Sequence, residues 1–241
     1  MTEGKKVVGY DFKDLKLSGY RNINELYPQK EQLHCCETLF GDSLAEVLLL
    51  AQDAADYPKF EALKKIDSKN PFRHDPKWAT NKNLFKYLSP YFDLGISTEN
   101  PNNKNCNLYY ANAIWLLKQS GGAQAKIVNE DDALNTCLPV LKATIQNLPN
   151  LRLIVALGEK AYKTLQILDA SLPPWKVIKC RAPINSHVCE KSILVASTYH
   201  PGNRGKNNRI AYEKKLGGTS DADTLFAKDF REILSSLGYA R

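Results

Sequence analysis

Four short apolar runs constrain what this chain can fold into more than any other feature. "EVLLLAQD" carries Val47 to Ala51 and ends in Gln52-Asp53, and "NLYYANAIW" ends its strand-like part at Asn112. "LRLIVALGEKAYKTL" passes through Gly158 into a helical pattern, and "SILVASTYHPG" ends at His200. Runs of this length with no polar alternation suit strands buried on both faces, as a parallel sheet requires. The expected strands are 47–51, 108–112, 153–157 and 193–197.

Helical patterns lie between them. "NKNLFKYLSPYF" follows Thr80, a residue suited to an N-cap. "NEDDALNTCLPVLKATIQNL" sets Asp131 and Asp132 in a first turn, where the helix dipole favours acid. "DADTLFAKDFREILSSLGYA" reads as a closing amphipathic helix with Leu225, Phe226, Phe230, Ile233 and Leu234 inward. Strands alternating with helices predict an α/β fold, a three-layer α/β/α sandwich around a mainly parallel central sheet. In such sheets ligands bind outside the carboxyl ends of the strands. Asp53, Asn112 and His200 sit at three such ends and are expected to converge.

The 241 residues suffice for one large domain, and 43% hydrophobic content excludes a disordered chain. A single domain over 1–241 is expected, with 1–43 as an N-terminal extension packed on it. No apolar run approaches the roughly 20 residues that span a bilayer, and the charged start "MTEGKKVVGYDFKDLK" lacks a signal core. A cytoplasmic monomer without membrane contact is therefore expected, nucleoid-associated if the cell is bacterial. Cys35, Cys36, Cys106, Cys137, Cys180 and Cys189 form no CxxC pair and no zinc spacing, so reduced, packed thiols are expected.

The net charge of +7 makes a polyanion plausible as partner without identifying one. The run "STYHPGNRGKNNR" sharpens that expectation. A plain turn uses Gly, Pro and Asn for backbone reasons, and has no need of a histidine or of Arg204, Lys206 and Arg209. An anion held at this bend accounts for all of these residues together.

In order along the chain, these segments resemble the uracil-DNA glycosylase superfamily. "LLLAQDAADY" is similar to the family's water-activating motif Gly-Gln-Asp-Pro-Tyr-His in its Gln-Asp core. "NPFRHDP" followed by "TNKNLFKYL" resembles the segment with the base-stacking Phe and a Lys-Asn helix start. "YYANAIW" resembles the strand whose Asn reads uracil, "LRLIVALGEKAYKTL" the strand–Gly–Ala–helix unit, and "YHPGNRG" the His-Pro-Ser-Pro-Leu loop. The similarity runs from about Leu44 to Arg209. Ala51 stands in place of Gly, Ala54, Ala55 and Asp56 in place of Pro, Tyr and His, and Gly202 in place of Ser. Arg204 stands where an apolar wedge usually lies. Cys137 matches a cluster cysteine of the iron–sulfur members, but Leu116 occupies the position of a second and no N-terminal CxxC exists, so no cluster, metal or other cofactor is expected.

The resemblance implies a monofunctional DNA glycosylase of base-excision repair that hydrolyses the N-glycosidic bond of uracil or a related damaged base, with DNA as partner. Asp53 would orient a water at C1′ and favour the cationic sugar. His200 would donate to O2 of the departing base, for which a neutral imidazole suffices. The Asn112 amide complements O4 and N3–H of uracil, and cytosine presents the reverse. Phe72 would stack on the extruded base and Gln52 would line its pocket. Gly202, Arg204, Lys206 and Arg209 would meet DNA, Arg204 filling the gap the flipped nucleotide leaves. Ala55, where the prototype motif has a Tyr against C5, implies tolerance of 5-substituted uracils unless Tyr57 restores the wall; a methyl-sized gap discriminates by only about 1–3 kcal/mol.

Each residue also has an ordinary structural use: Asp53 capping a turn, His200 bonding local backbone, Asn112 ending a strand, Phe72 in the core. Two other functions fit parts of the pattern. The rebuilt segment Ala54-Ala55-Asp56 suits a DNA-binding module that keeps the fold without efficient catalysis. An aspartyl phosphotransferase on "QDAAD" fits poorly, because it wants aspartates one residue apart and Asp53 and Asp56 are separated by two.

Overall fold

The computed structural model describes residues 15–22, 25, 41–53, 56–66, 78–94, 106–119 and 129–239. In chain order the elements are β1 (Tyr20–Arg21), β2 (Val47–Asp53), α1 (Tyr57–Ile66), α2 (Ala79–Leu88), β3 (Leu108–Ile114), β4 (Leu117–Lys118) and α3 (Glu130–Gln146). There follow β5 (Leu153–Leu157), α4 (Glu159–Leu168), α5 (Trp175–Ile178), β6 (Ile184–Val188), β7 (Lys191–Thr198), α6 (Asn203–Lys215) and α7 (Ala222–Ser235).

The apolar runs form the sheet they predict. Five strands pair in the order β3-β2-β5-β7-β6, parallel throughout except for the antiparallel edge strand β6. Alternation along the strands splits the core into two layers. Leu48, Leu50, Ala111 and Ala156 face α1, α3 and α4, packing with Phe60, Leu134, Val140 and Leu165. Val47, Leu49, Tyr110 and Val155 face α2 and α7, packing with Leu84, Tyr87, Phe226 and Phe230. The three-layer α/β/α arrangement follows, because each sheet face must bury its apolar side chains against helices.

Three local expectations need correction. β3 runs on to Ile114, so Asn112 lies within the strand, paired beside Ala51, rather than at its end. Ala113 and Ile114 are fully buried and continue the ladder, which outweighs the low strand propensity of Asn. Thr80 is not an N-cap: Trp78 occupies that position in extended conformation and makes no side-chain cap bond. The cationic run after Gly202 is not a bend either. α6 begins at Asn203, one residue past the glycine, so Arg204, Lys206 and Arg209 ride on a helix.

Arg209 explains how that helix is anchored. It is the buried residue of α6, with its guanidinium donating from Nε and Nη2 to the two carboxylate oxygens of Asp229, each at 2.9 Å. Thr198, the last residue of β7, donates to the same carboxylate at 2.8 Å. Strand end, α6 and α7 are thereby tied at one buried, bidentate, hydrogen-bonded point. The expected phosphate contact of Arg209 is replaced by this internal one, since its side chain is 5% exposed and already engaged by Asp229 and Glu213. Arg209→Met would leave Asp229 buried without its counter-charge. The variant is expected to lose about 3–5 kcal/mol in a urea melt, and a loss below about 1 kcal/mol, the range of an exposed pair, would show that the pair does not anchor α6.

Candidate active site

The carboxyl ends of β3, β2, β5 and β7 lie side by side, and the side chains of interest are there because parallel register puts them there. Asp53 ends β2; Asn112 is two residues from the end of β3; His200 follows the end of β7 by two. Asp53 shares the strand parity of Val47, Leu49 and Ala51, and Asn112 that of Leu108 and Tyr110. Both therefore belong to the α2/α7 face of the sheet. Asn112 is 3% exposed, so its amide is set inside the protein rather than at its surface.

Among the described residues, two donors reach one oxygen of the Asp53 carboxylate. Gln52 Nε2 donates to Oδ2 at 2.9 Å, and Lys118 Nζ approaches the same atom at 3.4 Å. Lys118 is a residue the sequence reading missed. Its only signal there is a lysine closing the apolar stretch "ANAIWLL", where a charge needs a partner.

His200 is fixed by its own loop. The backbone N–H of Gly202 donates to Nδ1 at 3.1 Å, which makes Nδ1 an acceptor and leaves the ring proton on Nε2. Desolvation holds the imidazole below its ordinary pKa of 6.5, with the charge of Asp53 opposing that shift. The ring is thus neutral at pH 7, with Nε2–H as a donor, and Asp53 is near enough for the two to interact electrostatically.

Close backbone packing explains the glycines around this ring. A Cβ on Gly205 would lie 1.8 Å from the His200 carbonyl oxygen, so α6 can rest on the loop only without a side chain there. Gly158 takes φ +106° between β5 and α4, and its N–H donates to Thr198 O at 2.8 Å. From the other side, Asn83 Nδ2 donates to Pro201 O at 2.6 Å, and Thr80 Oγ1 would be 3.1 Å from a Cβ on Gly202. The "TNKN" segment of α2 therefore braces the His-Pro-Gly loop, a contribution that its resemblance to a helix start did not reveal.

The remaining candidates divide. Gly202 is the extended residue capping α6, and Arg204 is exposed in the first turn of that helix. Lys206 is drawn to Asp223 at 2.6 Å, where Lys86 and Tyr87 also converge and together hold that carboxyl well below the usual range. Asp56 precedes α1 and accepts the Lys59 N–H at 2.9 Å, a capping contact that removes it from any paired-aspartate chemistry. Tyr57 begins α1, buried, with the Arg21 guanidinium 3.8 Å above its ring. Cys137, the position that prompted the iron–sulfur comparison, accepts the Trp115 N–H at 3.3 Å and is packed in the core. Ala55 and Phe72 lie outside the described residues.

The carboxylate of Asp53 and the neutral imidazole of His200 thus lie at the carboxyl edge of one parallel sheet, close enough for the first to act on the charge of the second. Sequence comparison specifies the class: the family model of the Uracil DNA glycosylase superfamily matches residues 40–217. The chain belongs to that superfamily, whose members act on DNA. No curated protein matches the chain.

The histidine geometry has a measurable consequence. The native pKa of His200 lies below 6.5, so as pH falls through 6.5 the unfolded chain takes up this proton before the native one does. Stability is then lost between 6.5 and the lower native value, and the contribution is fully present above 6.5. The His200 ring signal in NMR is expected to keep its neutral Nε2–H form at pH 6.5 and to titrate only below it. Half-protonation at or above 6.5 would contradict the described environment.

Proposed function

We propose that this protein is a monofunctional DNA glycosylase that hydrolyses the N-glycosidic bond of uracil or a closely related damaged base. The observation that carries the reading is Asp53 at the carboxyl end of its strand, within electrostatic reach of a neutral His200 whose Nδ1 is occupied by Gly202 N–H.

Each part follows from charge development in the reaction. Breaking the bond leaves positive charge on the sugar and negative charge on the base. Asp53 aims a water at C1′, accepts its proton as the C–O bond forms, and stabilises the cationic sugar through its charge. His200 donates from Nε2 to the oxygen on which the base's negative charge accumulates. A proton fixed on Nε2 by the bond at Nδ1 needs no reorganisation to do this. The Asn112 amide, held rigidly within β3, offers a donor and an acceptor to the base edge, and a base of reversed pattern would leave buried groups unpaired. The residue has to reach this site out of the stack, which costs least for a mismatched or single-stranded base. The first turn of α6 supplies backbone N–H groups and Arg204 to the phosphates alongside.

A panel of oligonucleotides carrying uracil, hypoxanthine, xanthine and 5-hydroxymethyluracil, read by strand cleavage at abasic sites, tests the reading. Excision of uracil is expected, unchanged by EDTA. Asp53→Asn should lower turnover far more than DNA affinity, because the residue acts on the transition state. His200→Ala should lower the rate by about 10²–10³-fold, as loss of one oxyanion donor does. DNA bound with no base released from any substrate would make the protein a binding module instead.

The DNA path is tested by salt. Arg204→Gln should flatten the slope of log K against log[salt] by about 1. Arg209→Met, whose charge is spent on Asp229, should leave the slope of the folded protein unchanged. The opposite pattern would move the phosphate contacts away from the start of α6.

A further inference from the structure

We propose that Lys118 is a positioning residue for Asp53: it fixes the carboxylate and compensates its charge when the DNA phosphates close over the site. The inference rests on the glycosylase reading. Lys118 Nζ lies 3.4 Å from Asp53 Oδ2, and the two side chains are only 4% and 13% exposed. A lysine this deep needs a counter-charge, and Asp53 is the acid it approaches. At that separation it acts as a held charge rather than as a short hydrogen bond. Gln52 Nε2 binds the same oxygen at 2.9 Å, so these two donors act together on the rotation of the carboxylate.

The backbone around Lys118 is built to deliver that charge. β4 pairs antiparallel with β1, Tyr20 opposite Lys118, and Gln119 N–H donates to Gly19 O at 3.0 Å. On the other side Lys118 bridges in parallel to Asp56, which caps α1. The lysine is therefore clamped between β1 and Asp56. Arg21, next along β1, lies over Tyr57 at the start of α1. These contacts give residues 19–21 a task that nothing in their sequence announces: they brace Lys118 and the start of α1.

A buried amine beside a sugar-directed carboxylate has one other chemical use. It attacks the C1′ aldehyde of an abasic product, expels water and forms an imine, after which loss of the C2′ proton releases the 3′ phosphate and nicks the strand. Lys118, 4% exposed against 13% for Asp53, is the deeper of the two, which argues for the positioning role.

Single-turnover rates on uracil-containing DNA and affinities for intact DNA, for Lys118→Met and Lys118→Arg in wild-type and Asp53→Asn backgrounds, separate the two. Lys118→Met should lower the wild-type rate about 10–100-fold, as a small misplacement of a reacting group does, while leaving DNA affinity within about twofold. Lys118→Arg keeps the charge and should recover at least about tenfold of that loss. In the Asp53→Asn background Lys118→Met should change the residual rate less than about twofold, because its effect passes through Asp53. Where either single variant fails to fold, Lys118→Arg in the wild-type background keeps the charge pair and carries the test: a rate within about tenfold of wild type with DNA affinity unchanged is expected, and a loss of affinity equal to the loss of rate overturns the proposal. An equal loss in both backgrounds, an equal loss of affinity, or a borohydride-trapped adduct that needs Lys118 would overturn the proposal. A wild type inert on the whole base panel would overturn the glycosylase reading and this inference with it, whereas an active wild type with an uncoupled cycle overturns the inference alone.

Discussion

Parallel pairing of β2 with a neighbour on each side is the constraint on which the rest depends. Val47 is paired with Leu108 on one side and Leu153 on the other; the first ladder keeps its register to Asp53 opposite Ile114, the second to Leu50 opposite Ala156. Parallel strands send all their carboxyl ends to one edge, and their crossover helices must cover both faces. A seven-residue strand that starts at Val47 therefore delivers Asp53 to the same edge as Asn112 and the chain after Thr198. Without that register the three polar groups, dispersed over some 150 residues of sequence, would share nothing.

The edge is then made rigid by polar contacts that are individually ordinary. Arg209, Asp229 and Thr198 tie the end of β7 to α6 and α7 inside the protein. Asn83 holds Pro201 O from α2, and Gly205 lets α6 approach the His200 carbonyl. Each fixes backbone on which His200 depends, and the histidine needs only the Gly202 N–H to settle its tautomer. Asp53 is treated in the same way by Gln52 and Lys118. Preorganised groups of this kind are what an electrostatic mechanism uses, because they need not reorient as charge develops.

The positive charge of the chain is distributed more selectively than its total suggests. Arg209 is consumed inside, Lys206 and Lys86 converge on Asp223, and Lys160 and Lys163 meet Glu130 and Asp131 between α4 and α3. Arg204, exposed at the start of α6, is the cation of the 204–209 run nearest the loop that carries His200. A net charge therefore says little about where a polyanion lies, and the pairing of each side chain decides it.

What the sequence determined by itself was the sheet and its edge. Continuous apolar runs bury both faces, so the strands, their parallel pairing and the edge to which they carry Asp53, Asn112 and the chain before His200 were legible in short-range pattern. Amphipathic spacing likewise marked Leu225, Phe226, Phe230, Ile233 and Leu234 as the inner face of α7, where all five are buried. Only the tertiary structure decided which charges face outward. Arg204 and Arg209 look alike in "NRGKNNR", and one is exposed while the other is buried, because a helix rather than a bend turns position 209 toward Asp229 on a segment 20 residues away. Lys118 escaped notice for the same reason. Its partner lies 65 residues earlier and meets it only when β1, β4 and the segment after β2 close together. Local periodicity encodes burial, which is a property of one segment, whereas a charge pair is a property of two segments and exists only once the chain has brought them into contact.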